Sequence, residues 1–422
     1  RLTFISIFQT NLDEFFRVRM GFLFDQALFY PALKENKTNM TSSEQIKACE
    51  RKVKYLYKKR DKIYASNLEK MKEYGVEIVG YDDIKDKEDK KFLEHYFTQE
   101  MLPLVSPQVV SKRQPFPFLN NGELYIVTQL ESKKGKRKMG IVSCSAAFDE
   151  RLIALPSKPG KFILAEEIVK KNLPMIFHGQ TVKNASIIRI IRSADIEEDD
   201  YSLQEHEDYR EMMETLIKQR RKLAPLRMEM SPGLEEIEVD MLKHFLDLSS
   251  GQVFEVESPL EFSFVFTLQD YLKSRHPELF YKRLEARNSP LVENTVPMIK
   301  QVLKHDILLS YPFESMAPFL RFLDETSRDP QVISIKMTLY RVAKNSKVVK
   351  SLIRAAENGK DVTVLVELRA RFDEENNIEW SRRLEEAGCR VIYGLNGFKV
   401  HSKLCLITRK TDKGLEYITQ IG

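Results

Sequence analysis

The sequence has 422 residues, which by length alone predicts about two to four domains with substantial hydrophobic cores. Hydrophobic residues make up 42% of the chain and charged residues 31%, a balance typical of an ordinary globular protein. The formal net charge of +5 is small for this length, so the overall charge does not indicate a nucleic-acid-binding protein. No run approaches the roughly 20 apolar residues of a transmembrane helix, which argues against a membrane-spanning segment.

The cysteines Cys49, Cys144, Cys389 and Cys405 lie far apart, without the paired spacing of zinc sites or disulfide frameworks. This favours a reducing, cytoplasmic compartment. There is no signal peptide, although the chain starts at arginine rather than methionine. Residues 415–422, LEYITQIG, have the pattern of a strand with no terminal helix or polar tail behind it. We therefore expect the sequence to be an internal part of a longer protein.

The first hundred residues have the apolar periodicity of helices. The first helix starts in RLTFISIFQTNLDEFFRVRMGFL. A second follows the capping-box pattern of Ser42 and Gln45 and ends near Gly75, and a third ends before Pro103. We predict an N-terminal helical bundle over residues 1–104.

Three polar residues interrupt the apolar pattern of the first helix. They are Asn11, Asp13 and Glu14. Their pattern alone favours a solvated helix face over a binding site.

From about residue 105 the sequence pattern is no longer helical, because prolines in this segment exclude a helix interior. Apolar and polar residues alternate in the segments ELYIVTQLES and KMGIVSCSA, which flank the turn KKGKR. This pattern predicts a β-hairpin. Basic residues at its tip could contact a polyanion, although a solvated surface is the preferred interpretation. They are Lys133, Lys134, Lys136, Arg137 and Lys138. Further strands alternate with helices, so we predict an α+β head domain over residues 105–300.

A regular alternation of strands and helices follows. The strands QVISIKMTLY and VTVLVEL are nearly continuous apolar runs, and the helices between strands end at Gly359 and Gly388. This predicts an α/β domain with a mostly parallel, buried sheet over residues 301–422. Ligands of such sheets gather at the carboxyl ends of the strands. Arg341 and Arg371 directly follow two strands and are candidate phosphate ligands.

His401 and Lys403 lie two residues apart in the predicted strand KVHSKLCLIT, so both side chains face the same side and reach one phosphate. A neutral imidazole can act as a nucleophile at phosphorus, and a nearby ammonium stabilises charge on the equatorial oxygens. Arginines add bidentate contacts to the same oxygens. A His-x-Lys pair is common by chance, so the spacing leaves open whether these residues and the two arginines form one site.

The carboxylates Asp373, Glu374 and Glu375 directly follow Arg371. Glu374 and Glu375 fit the first turn of the next helix, where acidic side chains favour the positive end of the helix dipole. For Asp373 two interpretations stay open: it is a residue of that first turn, or its carboxylate holds Mg²⁺ or orients Arg371.

Several long stretches occur in a set order, among them RLTFISIFQTNLDEFFRVRMG, LVSPQVVSKRQPFPFLNN, DPQVISIKMTLYRVAKNSKVVKSLIRAAENGKDVTVLVELRARFDEENNIEW and VIYGLNGFKVHSKLCLITR. They closely resemble polyphosphate kinases of the long, phospholipase-D-related type, and the resemblance covers effectively the whole chain. It implies a phospholipase-D-like third domain. It also implies a transferase that moves the terminal phosphate of ATP onto polyphosphate, reversibly and with Mg²⁺, through a phosphohistidine.

The resemblance further implies roles for individual residues. The family's phosphorylated histidine falls on His401, and its companion lysine falls on Lys403. Two arginines that the family groups with Mg²⁺ and phosphate fall on Arg341 and Arg371. A cation does not ligate a cation, so both arginines are expected to bind phosphate oxygens that the metal also contacts. The asparagine that contacts the base of ATP falls on Asn11, against the interpretation of a solvated face.

By the same resemblance, the expected partners are ATP, ADP and inorganic polyphosphate, with no nucleic acid. We expect a cytoplasmic dimer or tetramer, with peripheral membrane association left open. The family needs a second histidine motif in a second catalytic domain, and none of the 7 histidines starts another His-x-Lys. The acid/base half of the site is therefore expected to lie outside this chain, which alone would be inactive.

Two other classes of function stay open from the residues. One is a phospholipase-D-like phosphodiesterase or nuclease that uses the same histidine on a diester and completes its site with a second chain. The other is a non-catalytic scaffold that binds polyphosphate or RNA through the basic hairpin and the arginines. The length of the matching motifs favours the kinase.

Overall fold

The fold is that of a computed structural model, which describes residues 1–111, 114–144, 150–193, 224–367, 374–394 and 400–422. The chain divides into two compact units. Of the described residues, those up to 193 and those in 224–280 belong to unit 1, and those in 281–422 belong to unit 2. The protein is a multidomain α/β protein with a helical N-terminus and mixed sheets, as predicted in outline. Within the described ranges, no helix combines the length and the apolar character needed to cross a membrane.

Unit 1 begins with helices, as predicted. Its described α-helices are α1 (Leu2–Phe15), α2 (Gly21–Phe29), α3 (Ser42–Lys72), α4 (Lys87–Tyr96), α5 (Ala165–Lys171), α6 (Leu173–Ile176), α7 (Glu236–Leu246) and α8 (Phe264–Arg275). Single π-helical turns follow α1 and α4, at Phe16–Met20 and Phe97–Met101. Short 3₁₀ turns lie at Tyr81–Asp83, Leu102–Leu104, Ser250–Gln252 and Pro277–Leu279.

The capping box of α3 lies one residue earlier than predicted. The Thr41 hydroxyl accepts a hydrogen bond from the Glu44 N–H (3.3 Å), and the Glu44 carboxylate accepts one from the Thr41 N–H (2.8 Å). The pair is therefore Thr41 with Glu44, not Ser42 with Gln45. A carboxylate is the stronger acceptor for an exposed backbone N–H. The Ser42 hydroxyl donates instead to the Gln26 side chain (2.6 Å).

Two sheets complete unit 1. The described strands are β1 (Glu77–Ile78), β2 (Gln108–Val110), β3 (Leu124–Glu131), β4 (Arg137–Ser143), β5 (Leu152–Ala154), β6 (Lys161–Leu164), β7 (Thr181–Arg192), β8 (Pro225–Met230) and β9 (Val253–Glu255). A sheet of order β2-β4-β3-β7-β8-β9 is antiparallel except for its β8–β9 pair, and β1-β6-β5 form a smaller sheet. The predicted hairpin is confirmed as β3–β4, with Glu131 opposite Arg137 at the tip.

The helices at the start of the chain share a hydrophobic core with the larger sheet. Leu12 of α1 and Val53 of α3 belong to the same buried cluster as Ile126 of β3, Ile187 of β7 and Leu226 of β8. Burial of one apolar helix face against a sheet stabilises both. The helices therefore form no bundle with a separate core, and the predicted boundaries 1–104 and 105–300 stay a prediction.

Unit 2 contains the alternating segment. Its described helices are α9 (Met298–Val302), α10 (Ala317–Arg328), α11 (Lys347–Glu357) and α12 (Glu374–Glu386), and its strands are β10 (Val332–Leu339), β11 (Asp361–Val366), β12 (Arg390–Tyr393), β13 (Leu404–Thr411) and β14 (Gly414–Ile421). The sheet order is β12-β11-β10-β13-β14.

The sheet of unit 2 is mixed, which corrects the prediction of a mostly parallel sheet. β10, β11 and β12 are parallel, whereas β13 runs antiparallel to β10 and β14 antiparallel to β13. β13 and β14 are joined by only two residues, Asp412 and Lys413, and so short a connection permits only antiparallel pairing. Burial alternates along β13, as is common in an antiparallel strand with one face towards solvent.

Candidate functional site

The carboxyl ends of β10 and β11 lie side by side. Leu339 pairs with Val366, and the N–H of Glu367 donates to the carbonyl of Leu339 (2.9 Å). Tyr340 and Arg341 follow β10 directly, and Glu367 follows β11. Side chains that leave neighbouring parallel strands at this edge converge, which is why such edges hold ligands.

His401 and Lys403 precede β13 rather than lying on it, which differs from the prediction. β13 starts at Leu404. Lys403 still exchanges backbone hydrogen bonds with Gly422, at 3.2 and 2.8 Å. The segment is therefore tied to the last strand by its backbone, although it lies outside the regular ladder.

Thr338 of β10 holds this segment from the other side. Its hydroxyl donates to the carbonyl of Ser402 (2.5 Å) and accepts from the N–H of Leu404 (2.9 Å). The regular pairing between β10 and β13 stops at Met337 and Cys405. The threonine side chain thus replaces ladder bonds and holds His401 and Lys403 near the end of β10.

The ring of Tyr340 brings three of the predicted residues together. The His401 imidazole packs edge-on against it, with ring centres 4.7 Å apart and planes at 69°. The Lys403 ammonium lies 5.0 Å from the ring centre, and the guanidinium carbon of Arg341 lies 5.8 Å from it. The ammonium also donates to the backbone carbonyl of His401. We call His401, Lys403, Arg341 and Tyr340 the Tyr340 site.

The Tyr340 site is accessible and positively charged. His401 and Arg341 are exposed, and Tyr340 and Lys403 are half-buried. The aromatic face attracts both cations through its quadrupole, so the ring gathers positive charge beside the imidazole. An open surface with a nucleophile and two cations suits a multiply charged anion such as a phosphate group.

Side chains of α12 hold the loop that carries Arg341. Asn377 is fully buried and donates to the carbonyls of Tyr340 (2.7 Å) and Glu367 (3.1 Å). Two more α12 side chains donate to carbonyls of the same loop, Asn376 to Val342 (2.5 Å) and Trp380 to Ala343 (3.1 Å). The sequence pattern assigned these residues only to a helix. A pair of asparagines beside the chain's single tryptophan was the signal that could have indicated this role.

Glu367 was also missed by the sequence reasoning. It is only 1% exposed, and its carboxylate accepts a hydrogen bond from the N–H of Val400 (2.8 Å). Val400 is the residue before His401 in the chain. A bond to an ionised carboxylate is stronger than a neutral one, so Glu367 fixes the backbone from which His401 projects.

Two predicted positions fall outside the described residues. These are Arg371, the second candidate arginine, and Asp373. α12 starts at Glu374, so Glu374 and Glu375 lie in the first turn of the helix, as predicted.

Asn11 lies on α1 in unit 1, whereas the Tyr340 site lies in unit 2. Asn11 is exposed. Its neighbour Asp13 is not part of a solvated face, which corrects that interpretation. The Asp13 carboxylate forms ion pairs with Arg189 (2.5 Å) and with the buried Arg227.

Asp13 belongs to a buried polar network that joins α1, α3, β7 and β8. Its members are Gln9, Asp13, Tyr57, Arg60, Arg189, Arg227 and Glu229. Tyr57 donates to the Glu229 carboxylate at 2.5 Å. Burial raises the pKa of a carboxyl group, but the three surrounding guanidinium groups outweigh this and lower the pKa of Glu229 to about 2. Glu229 is therefore ionised at neutral pH, and the ion pairs and hydrogen bonds of the network hold the helices on the sheet.

The chemistry available to the remaining groups is limited. All four cysteines are free. Burial raises the pKa of Cys405 to about 12 and that of Cys389 to about 11, so these thiols stay protonated and unreactive near neutral pH. In the described part of the chain, no group of three His, Cys, Asp or Glu side chains could hold a metal ion. The side chains at the Tyr340 site fit phosphate rather than direct coordination of Mg²⁺, which prefers oxygen ligands.

Models of one protein family match successive parts of the chain. The model described as polyphosphate kinase N-terminal domain matches residues 1–79, the middle domain matches 88–268, and C-terminal domain 1 matches 297–422.

Curated relatives point the same way. A polyphosphate kinase of Halalkalibacterium halodurans is 35% identical over 428 residues, which cover 100% of this chain and 60% of that protein. A polyphosphate kinase of Bacillus anthracis is 36% identical over 436 residues, covering 100% of this chain and 61% of the relative. The chain thus spans 60–61% of the length of these relatives.

The crystal structure of polyphosphate kinase from Porphyromonas gingivalis has a similar fold. It matches with a TM-score of 0.75 and 24% identity, covering 97% of this chain and 57% of that chain.

Proposed function

Because this chain belongs to the polyphosphate kinase family, we propose that the protein transfers the γ-phosphate of ATP to inorganic polyphosphate, reversibly, with His401 as the phosphate carrier. The observation that carries this proposal is the contact of His401, Lys403 and Arg341 with the single ring of Tyr340. A nucleophile flanked by two cations is what transfer of a charged phosphoryl group requires.

In the first step, an imidazole nitrogen of neutral His401 attacks the γ-phosphorus of ATP. The N–P bond forms while the bond from that phosphorus to the bridging oxygen breaks, and ADP leaves with the electron pair. In the second step, a terminal oxygen of polyphosphate attacks the phosphorus, the new P–O bond forms, and the N–P bond breaks. The reverse sequence makes ATP from polyphosphate.

The cations have separate roles in this mechanism. Lys403 and Arg341 bind the equatorial oxygens of the transferring phosphoryl group and offset the charge that develops there. Arg371 is proposed to join them as the second arginine. Asn11 is proposed to contact the base of ATP, on the strength of the family resemblance alone.

Mg²⁺ is part of the proposal only through the substrate. The described residues offer the Tyr340 site no cluster of oxygen ligands for a metal. Mg²⁺ bound to nucleotides is commonly held through phosphate oxygens. We therefore assign Mg²⁺ to the phosphates of ATP, and no step of the mechanism passes through it.

We also propose the wider organisation that the resemblance implies. It comprises a helical domain over residues 1–104, a head domain over 105–300 and a first phospholipase-D-like catalytic domain over 301–422. The matches of the three family models, to residues 1–79, 88–268 and 297–422, support boundaries near these positions. A cytoplasmic dimer or tetramer is part of the same proposal, and light scattering of the natural full-length protein tests the oligomeric state.

The test is covalent labelling of the natural full-length protein with γ-³²P-ATP. We expect acid-labile label in the wild type and none in His401→Ala. His305→Ala is the matched control, because His305 is an exposed histidine elsewhere in unit 2, and it should label normally. Undiminished labelling of His401→Ala would remove His401 from the mechanism. Release of nucleotides from DNA without ATP would favour the phosphodiesterase instead.

A further inference from the structure

One long face of α3 carries only positive charge. Seven lysine and arginine side chains between residues 47 and 62 of this helix are exposed. They are Lys47, Arg51, Lys52, Lys54, Lys58, Lys59 and Lys62, and we call this surface the α3 basic face. The opposite side of α3 is buried in unit 1, with Val53, Tyr57 and Tyr64 among its core residues.

The spacing of these cations makes the face continuous. Five of them follow one another at intervals of three or four residues and so form one row along the helix. They are Lys47, Arg51, Lys54, Lys58 and Lys62. Lys52 and Lys59, seven residues or two turns apart, form a second line about 110° further around the helix. With a rise of 1.5 Å per residue, the row is about 22 Å long.

The acidic residues of this segment offset only part of the charge of the face. Glu44 interacts electrostatically with Lys47, and Glu50 interacts with Lys47 and Lys54. Asp61 turns towards the body of unit 1, where it accepts hydrogen bonds from the Ser258 hydroxyl (2.5 Å) and the Glu257 N–H (3.2 Å). Glu50 is half-buried and packs against Gly251. Among the described residues, none of the seven cations forms an ion pair.

This arrangement works against the stability of the helix. Like charges four residues apart repel, and Lys54, Lys58 and Lys62 form two such pairs in succession. Lys47 adds a positive charge near the N-terminus of α3, where the helix dipole is also positive. A linear polyanion laid along the row would relieve this repulsion, which no neutral partner would do.

We propose that the α3 basic face binds the polyphosphate chain itself, at a site separate from the Tyr340 site. The inference rests on the proposed function for the identity of the polyanion. Polyphosphate offers a repeated negative charge and no bases, and the face offers a row of cations. Proteins that hold single-stranded nucleic acid add several aromatic platforms for the bases. In the described part of the chain, two aromatic rings contact these cations. The exposed ring of Tyr55 has the Lys52 ammonium 5.1 Å from its centre, whereas Phe254, 6.0 Å from the Lys54 ammonium, is buried and offers no surface for a base.

The experiment compares two variants that lose the same charge. One replaces four lysines of the α3 basic face with glutamine, K52Q/K58Q/K59Q/K62Q. The control replaces four exposed lysines at the tip of the β3–β4 hairpin, K133Q/K134Q/K136Q/K138Q. Binding of fluorescently labelled long-chain polyphosphate to the full chain is measured by anisotropy, without ATP, over a range of salt concentrations.

The α3 variant should bind polyphosphate roughly tenfold more weakly, or worse, at 0.1 M salt. The slope of log affinity against log salt should fall by about 3, if each lost contact contributes about 0.7 as for a single-stranded polyanion. The hairpin control should stay within about twofold of the wild type. Unchanged binding by the α3 variant, or an equal loss in the control, overturns the proposal. The proposal is also overturned if single-stranded RNA of equal charge binds the α3 basic face as tightly as polyphosphate does.

Thermal denaturation separates loss of the site from loss of the fold. Glutamine keeps a high helix propensity and removes repulsion, so the α3 variant should melt no lower than the wild type. Polyphosphate should raise the melting temperature of the wild type and of the hairpin control, and that of the α3 variant by clearly less, because the variant keeps only the Tyr340 site. A melting temperature of the α3 variant that rises with polyphosphate as in the wild type contradicts the assignment.

Failure of this inference is distinguishable from failure of the proposed function. His401→Ala should still bind polyphosphate through the α3 basic face. If α3 binds polyphosphate but wild-type His401 takes no label from γ-³²P-ATP, the kinase mechanism fails and the binding site stands. If His401 labels normally and the α3 variant binds as the wild type does, only the binding site fails.

Discussion

Replacing Tyr340 with leucine tests whether its ring organises the phosphate-transfer site. The ring contacts the His401 imidazole at 4.7 Å and the Lys403 ammonium at 5.0 Å. Leucine keeps an apolar side chain of moderate size but has no aromatic face. In Tyr340→Leu, the His401 and Lys403 side chains should therefore no longer be held in the arrangement that the ring favours.

The size of the effect follows from the two contacts. An edge-on aromatic pair contributes about 0.5–1.5 kcal/mol, and an exposed cation–π contact adds about 0.5–1 kcal/mol. Loss of both would cost about 1–2.5 kcal/mol. At about 1.4 kcal/mol for each factor of ten, phosphohistidine formation should slow roughly fivefold to sixtyfold.

The assay is rapid-quench measurement of acid-labile ³²P incorporation by the natural full-length protein. Tyr340→Phe is the matched control, because it keeps the aromatic face and removes only the hydroxyl, and it should stay within about twofold of the wild type. A wild-type labelling rate in Tyr340→Leu would refute the role of the ring. Equal damage in the two variants would mean that the hydroxyl, not the ring, is what matters.

Two further predictions concern buried carboxylates. Glu367→Gln turns the charge-assisted bond to the Val400 N–H into a neutral one, weaker by about 1 kcal/mol, so the same assay should show labelling slowed roughly fivefold. ATP affinity, measured by titration, should not change, and a change confined to it would contradict a positioning role. The pKa of Glu229 is about 2 in the folded protein, below its value in the unfolded chain. The contribution of ionised Glu229 to the free energy of unfolding is therefore present above about pH 4.5 and is lost as the pH falls towards 2. That contribution is about 3 kcal/mol. Urea unfolding should give a lower free energy of unfolding at pH 3 than at pH 5 in the wild type, and a smaller difference between the two pH values in Glu229→Gln. An equal difference in the two proteins would count against the network.

The order of elements could be predicted from sequence, because apolar periodicity reports which face of each element is buried. The β3–β4 hairpin and the strands on either side of α11 follow from that pattern. The antiparallel direction of β13 was missed, because the regular alternation of strands and helices before it was extended to β13, although no helix separates β13 from β14. The connection of only two residues between β13 and β14 did indicate antiparallel pairing.

The immediate surroundings of His401 could not be read from local pattern. Its position depends on Thr338, which is 63 residues earlier in the chain, and on Glu367, which lies on another strand end. Both contacts exist only once the strands have paired. Asn377 is a similar case, since it bonds carbonyls at the ends of two strands at once. Residue type indicates what a side chain can donate or accept, but not which distant partner the fold supplies.

The polar patch on α1 shows where a stricter use of periodicity would have helped. Each residue of an α-helix turns the chain by about 100°, so Asn11 and Asp13, two residues apart, point about 200° apart. They could not share one solvated face. Asn11 is exposed, whereas Asp13 turns inward to the guanidinium groups of Arg189 and Arg227. An ion pair that fixes the inward side of the helix also fixes the direction of its outward side. The buried network therefore determines where α1 presents Asn11, the residue proposed to contact the base of ATP.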